Sequence, residues 1–131
     1  MGDLTFEESN EWRVCIKREL CNYTKDIGLN VNIINPNDYY NFIKKSHETE
    51  YEVRQFDLNL VRRSDLIIVN FNDPHSIGTS QELAIANEHR IPVIGLNESQ
   101  VVLHPWLKLS CDRIFNKKIE LLDYVKWFYF N

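Results

Sequence analysis

Apolar residues at Trp12, Ile16 and Leu20 recur every fourth position, as one buried stripe of a helix requires. Thr5 followed by Glu8 fits a capping box ahead of that stripe, so the spacing predicts a helix from about Phe6 to about Tyr23. Gly28 closes the region. Val31 to Ile34 then reads as a short strand ended by Asn35-Pro36-Asn37, whose proline and asparagines favour a turn. From about Glu48 to Arg63 the positions Val53, Phe56, Leu60 and Val61 follow helical spacing. Leu66 to Val69 is apolar on both faces, as an interior parallel strand is.

The alternation repeats with a loop from Phe71 to Gly78, a helix near Ser80 to Glu88 and a strand from Pro92 to Leu96. A looser stretch surrounds His104-Pro105-Trp106. A short strand at Arg113 to Phe115 and a closing helix with Leu121, Leu122, Val125 and Phe128 complete the chain. Such alternation predicts an α/β fold, a parallel sheet wound with helices on both faces. These folds normally enter through a first strand at the centre of the sheet, yet this sequence opens with the loop and cap of a helix. Either the sheet is built unusually or residues upstream of Met1 belong to the protein, and the sequence leaves both open.

Length changes the picture little: 131 residues suit one domain, 1–131, able to bury its own core. Charge changes it more, because a formal net charge of −4 with dispersed Lys and Arg argues against a nucleic-acid binder. Cys15, Cys21 and Cys111 are too few for a structural zinc set, and their odd number does not suggest a disulfide framework. No apolar run approaches the roughly 20 residues that span a bilayer, and the N-terminus lacks signal-peptide regions. A cytoplasmic protein with no membrane partner is expected.

Open parallel sheets bind ligands at the carboxyl ends of their strands. That points to the loop Phe71-Asn72-Asp73-Pro74-His75-Ser76-Ile77-Gly78-Thr79 after the most hydrophobic strand. Gly78 lets backbone approach a ligand closely, the amides opening the next helix suit a phosphate or carboxylate, and Ser76, Thr79 and Ser80 add hydroxyls. Plain turns, however, often carry the same residues. Glu82 is expected in the first turn of that helix, where the macrodipole favours a charged carboxylate able to attack an anomeric carbon. Thr79-Ser80-Gln81-Glu82 is also a capping box, and from spacing alone the cap is preferred.

Asp57, four residues from both Val53 and Val61, falls on a stripe that should face the core, so the stripe should meet a polar cleft there. An ion pair with Arg54 or another basic group is its equal alternative. Asp65, at the entrance to a strand, lies on the wrong side of the sheet for a site. His47, His75, His89 and His104 lack metal spacing, and His75 reads as an exposed turn residue. The close Trp127-Phe128-Tyr129-Phe130 exceeds what one helix face needs; core packing or a second subunit would take the surplus.

Taken together, Phe56-Asp57-Leu58, Ser64-Asp65-Leu66-Ile67-Ile68-Val69-Asn70, the run Ser76-Ile77-Gly78-Thr79-Ser80-Gln81-Glu82-Leu83-Ala84-Ile85-Ala86 and Ile91-Pro92-Val93-Ile94-Gly95 resemble the nucleoside 2-deoxyribosyltransferase family. The resemblance spans roughly Trp12 to Phe115. It implies a single-domain flavodoxin-like or Rossmann-like three-layer sandwich, the family's first strand having no counterpart before Met1. It further implies transfer of deoxyribose between bases or hydrolysis of deoxynucleoside 5′-monophosphates, with Glu82 as nucleophile and Asp57 assisting the base or the sugar. Ser76 matches the position that helps hold a 5′-phosphate in the hydrolases, and Asn70, Gly78, Thr79 and Ser80 are its companions at the substrate. A nucleoside or nucleotide ligand, no cofactor or metal, and a dimer or larger assembly are the further expectations. A non-catalytic nucleotide-binding or sensing module is the alternative. A phospho-receiver domain, using Asp73 and Lys117, is a third and weaker reading, since no acidic pair follows a first strand.

Overall fold

A computed structural model describes residues 6–39 and 49–130, with the side chains of 6–9, 37 and 39 left aside. The expected Thr5–Glu8 capping box, His47 and Met1-Gly2-Asp3 lie outside the described residues or side chains. The elements run α1 (Phe6–Asp26), a 3-10 turn (Pro36–Tyr39), α2 (Glu50–Arg62), β1 (Ile67–Asn70), α3 (Ile77–Glu88), β2 (Val93–Leu96), α4 (Pro105–Leu109), β3 (Arg113–Phe115) and α5 (Lys118–Phe128). Among the described residues three strands form one parallel sheet in the order β1-β2-β3, with Ile68 opposite Ile94 and Ile94 opposite Arg113. The fold is α/β, as the alternation predicts.

The chain divides into two compact units, Met1–Ser46 with Leu122–Asn131, and His47–Leu121. The second holds the sheet. Its core joins Val61 of α2, Val69 and Phe71 at the end of β1, Leu83 and Ala86 of α3, Val93 of β2 and Leu103, with Ile67, Ile85, Ile91, Cys111 and Ile114 packed against them. Every residue of β2 is buried, which is why its sequence shows no alternation. Gly95 is there because nothing larger fits: a Cβ would stand 2.8 Å from Phe71 Cε2 and 3.3 Å from both Cys111 Sγ and Ile114 Cγ1. The strand thus lies against a buried aromatic ring.

In the first unit Ile16, Leu20, Thr24, Leu122 and Val125 are buried. The predicted strand Val31 to Ile34 is a correction, because the segment belongs to no ladder. Its alternating burial is that of an extended chain, and alternation predicts extension without supplying the partner that makes a strand. Asn35 at its end is buried and donates from Nδ2 to Asn10 Oδ1 at 3.0 Å. Lys17 pairs with Asp38 at 2.9 Å. The closing aromatics largely pack on themselves: Tyr124 stacks on Phe128 at 5.2 Å, Phe128 meets Tyr129 edge-on at 5.0 Å, and Trp127 stays exposed. The looser stretch at His104 is the start of α4, with His104 Nδ1 accepting the Trp106 amide at 3.1 Å.

Two helices end in the same Schellman geometry with different residues. At α1, Leu29 N–H reaches Thr24 O at 2.9 Å and Gly28 N–H reaches Lys25 O at 3.3 Å, with Gly28 at φ +73°. At α3, Ile91 N–H reaches Ala86 O at 2.8 Å and Arg90 N–H reaches Asn87 O at 3.0 Å, so Arg90 takes the left-handed position at φ +57°. Ile91 packs on the core, which holds an arginine where glycine is favoured.

Candidate functional site

The loop after β1 is ordered by its own polar groups. Asn70, the last residue of the strand, accepts the Asn72 amide on Oδ1 at 2.8 Å. Asp73-Pro74-His75-Ser76 then turns back with Ser76 N–H on Asp73 O at 3.3 Å, proline in the second place where its fixed φ suits the turn. Asp73 Oδ1 also accepts the His75 amide at 3.2 Å, and His75 is exposed as expected. The Asp73 carboxylate thus shapes a turn, a role unlike that of a receiver aspartate.

Helix α3 begins three residues before the predicted start, and this revises the position of Glu82. The N-cap is Ser76, whose Oγ accepts the Thr79 amide at 3.2 Å. In the capping box read from Thr79-Ser80-Gln81-Glu82, the amide offered to Glu82 was that of Thr79, and it is already donated to Ser76. The box is therefore not the cap of α3. The expectation that Glu82 lies in the first turn is corrected with it: α3 has no acidic residue there, and Glu82 is its sixth residue. The dipole falls off within one turn, so it is a minor influence on this carboxylate.

Gly78 is the second helical residue, and a Cβ there would come no nearer than 3.9 Å to any neighbour, Ser76 Oγ. Nothing in the chain demands a glycine at this point. Ser76 accepts through its oxygen and retains a proton to donate, whereas Ser80 Oγ donates to Ser76 O at 3.2 Å and is directed at the helix. Asn70, Ser76, Gly78, Thr79 and Ser80 are therefore gathered at one place, the carboxyl edge of β1 and the first turn of α3.

Asp57 comes from α2, which opens with a true capping box. Thr49 Oγ1 accepts the Glu52 amide at 3.1 Å and Glu52 Oε2 accepts the Thr49 amide at 3.1 Å. Arg54, weighed above as the ion-pair partner of Asp57, donates from Nε to Gln81 Oε1 of α3 at 2.9 Å. Because α2 leads into β1 and α3 out of it, the two helices run parallel, both starting at the carboxyl edge. Arg54 and Gln81 are each the fifth residue of their helix. Asp57 lies three residues beyond Arg54 and Glu82 one beyond Gln81, so the carboxylate positions differ by about 3 Å along the axes. Three residues turn a side chain back by about 60° and one residue turns it on by about 100°, which for facing parallel helices brings both to the same side of the pair. Asp57 and Glu82 are both half-buried, and each immediately precedes the first buried residue of its helix, Leu58 and Leu83.

Asp65 is exposed at the opposite edge of the sheet, and His89 and His104 stand at helix ends. Two residues escaped the sequence reading. Gln81 gives no signal, since one glutamine in a helix has no pattern. Asn97 offers a faint one, an asparagine directly after an apolar strand. It is buried, gives Nδ2 to Val101 O at 3.0 Å and accepts Val101 N–H on Oδ1 at 3.2 Å, closing the loop after β2. Cys111 is no nucleophile at neutral pH: burial, with help from the Asp112 charge, pushes its thiol up to about 12. Among the described residues no group of three or more His, Cys, Asp or Glu is placed to hold a metal, and no helix is long and apolar enough to cross a membrane.

Comparison with known proteins gives a likeness of fold. The fold is that of an N-glycosidase structure. Clostridium botulinum CMP N-glycosidase, BcmB, superposes with a TM-score of 0.57 over 92% of this chain and 93% of that one, at 19% identity. No family model and no curated protein matches the sequence. At this identity the likeness is one of fold, and it agrees with the architecture that the sequence resemblance implies.

Proposed function

We propose that the protein breaks the N-glycosidic bond of a nucleoside or nucleoside 5′-monophosphate, passing the sugar to water or to a second base, with Glu82 as nucleophile. The observation that carries this is the start of α3 at Ile77, which removes Glu82 from the cap and leaves it next to Gln81, the residue that Arg54 of α2 binds one turn before Asp57. The fold shared with a CMP N-glycosidase supports the reaction class.

In the first step a Glu82 oxygen attacks the anomeric carbon, the bond to the base nitrogen breaks, and the base leaves with the electron pair and a proton delivered through Asp57. A glycosyl ester on Glu82 results. In the second step water attacks the same carbon, Glu82 leaves as the carboxylate and the water proton returns to Asp57; a second base in place of water completes a transfer. The Ser76 hydroxyl and the first amides of α3 would hold a 5′-phosphate, where helix N-termini favour anions. The space beside Gly78 leaves room for that approach.

The test is base release from CMP and from deoxynucleoside 5′-monophosphates, followed by chromatography for the wild type and Glu82→Gln. The expected result is release by the wild type and loss in a variant of unchanged fold. Undiminished release by a folded Glu82→Gln protein overturns the assignment. Binding without turnover in the wild type, seen as a rise in melting temperature with these nucleotides and no free base, identifies the module as a non-catalytic binder.

A further inference from the structure

The buried anchors of α2 and α3 lie deep in each helix. In α2 they are Leu58 and Val61, in α3 Leu83 and Ala86. The amino-terminal halves, which carry the residues up to Asp57 and Glu82, contribute no fully buried side chain to the core. The fully buried contacts therefore hold the helices at their carboxyl halves, while the earlier turns carry half-buried and exposed side chains. Each helix has its own cap, Thr49 with Glu52 and Ser76, but a cap acts within one helix and says nothing about the spacing between two.

A cross-link at that level is the hydrogen bond from Arg54 Nε to Gln81 Oε1, 2.9 Å long. Arg54 is one turn before Asp57, and Gln81 adjoins Glu82. A planar guanidinium gives this bond a direction that an ammonium does not, so it constrains the rotation of one helix against the other as well as their distance. Nucleophilic attack and proton delivery at one glycosidic bond require two carboxylates on opposite partners of that bond, and an error of about 1 Å in such an arrangement costs up to roughly a hundredfold in rate.

We propose that Arg54 and Gln81 are positioning residues: their hydrogen bond sets the register of α2 against α3 and so the spacing of Asp57 and Glu82. This rests on the function proposed above for those two carboxylates. Neither Arg54 nor Gln81 is assigned a contact with substrate. Both are exposed, so their bond contributes little to stability, and its effect is felt in turnover.

The experiment is a double-mutant cycle on base release from the best nucleotide substrate, with kcat, KM and melting temperature read for each protein. Arg54→Ala and Gln81→Ala are each expected to lower kcat roughly tenfold with KM within about twofold and melting temperature within about 2 °C. The double variant is expected to be no slower than either single one, because both remove the same bond. The exchanged pair, Arg54→Gln with Gln81→Arg, is expected to recover part of the rate, and Lys17→Ala, which breaks the exposed pair with Asp38, to leave it unchanged. Singles at wild-type kcat, or losses that add in the double variant, overturn the proposal while Glu82→Gln still abolishes release. Parallel loss of stability and rate, with no recovery on exchange, also overturns it by making the role structural. A wild type that releases no base, or a Glu82→Gln protein that releases it undiminished, removes the catalytic reading itself and the positioning role with it.

Discussion

Two four-residue stretches of this protein spell the same helix-start motif, Thr49-Glu50-Tyr51-Glu52 and Thr79-Ser80-Gln81-Glu82, and only the first uses it. At α2 the reciprocal bonds between Thr49 and Glu52 are both made. At α3 the chain enters the helix earlier, because the Asp73-Pro74 turn delivers Ser76 as the cap, and Ser76 takes the Thr79 amide. A motif four residues long describes what a helix start can satisfy. Which of two nearby starts is taken depends on the turn that feeds it, and here that turn moves the second glutamate out of the cap and into the second helical turn.

The comparison can be broken most directly at the two glutamates. Glu82→Gln is expected to reduce base release by several orders of magnitude, as loss of a nucleophile does, while Glu52→Gln leaves the rate near wild type; equal rates for both variants would erase the functional distinction. Two glycines near the same elements come next. Gly95→Ala should cost about 1–3 kcal/mol by driving a methyl into Phe71, read as a lower denaturant midpoint. Gly78→Ala, with open space around it, should instead gain about 0.5–1 kcal/mol as a better helix residue, and weaken nucleotide binding in a thermal titration if the backbone there meets a ligand. Third, Thr49→Ala and Ser76→Ala should each cost about 1 kcal/mol for a lost cap. Smallest of all, Thr79→Ala should stay within about 0.5 kcal/mol of wild type, since its side chain caps nothing; a loss equal to that of Thr49→Ala would restore the second box.

The ends of the helices extend the lesson. Gly28 closes α1 as sequence rules expect, but Arg90 closes α3 in the same left-handed geometry, with Ile91 holding the turn from the core. A glycine signals such an end in the sequence, whereas an arginine does not, because the force that holds it is packing made elsewhere in the chain.

Much of the fold was legible. The helix stripes at Trp12, Ile16 and Leu20 and at Val53 to Val61, and the runs Leu66 to Val69 and Pro92 to Leu96, are local patterns whose periods match the elements observed. Val31 to Ile34 was not legible, because its alternation is shared by strands and by unpaired extended chain. The residues proposed for the site are legible as types in one loop and two helices. Its geometry is not: the start of α3 at Ile77 depends on which of two local caps is taken, and the bond from Arg54 to Gln81 joins positions 27 residues apart.

The order α2-β1-α3-β2, the α/β class and the carboxyl-edge loop followed from the sequence alone, since each rests on interactions between residues a few positions apart. The spacing of Glu82 relative to Asp57 and the accommodation of Arg90 were decided only in the tertiary structure. Those outcomes depend on competition between groups brought together by folding, and a local pattern names the competitors without naming the winner.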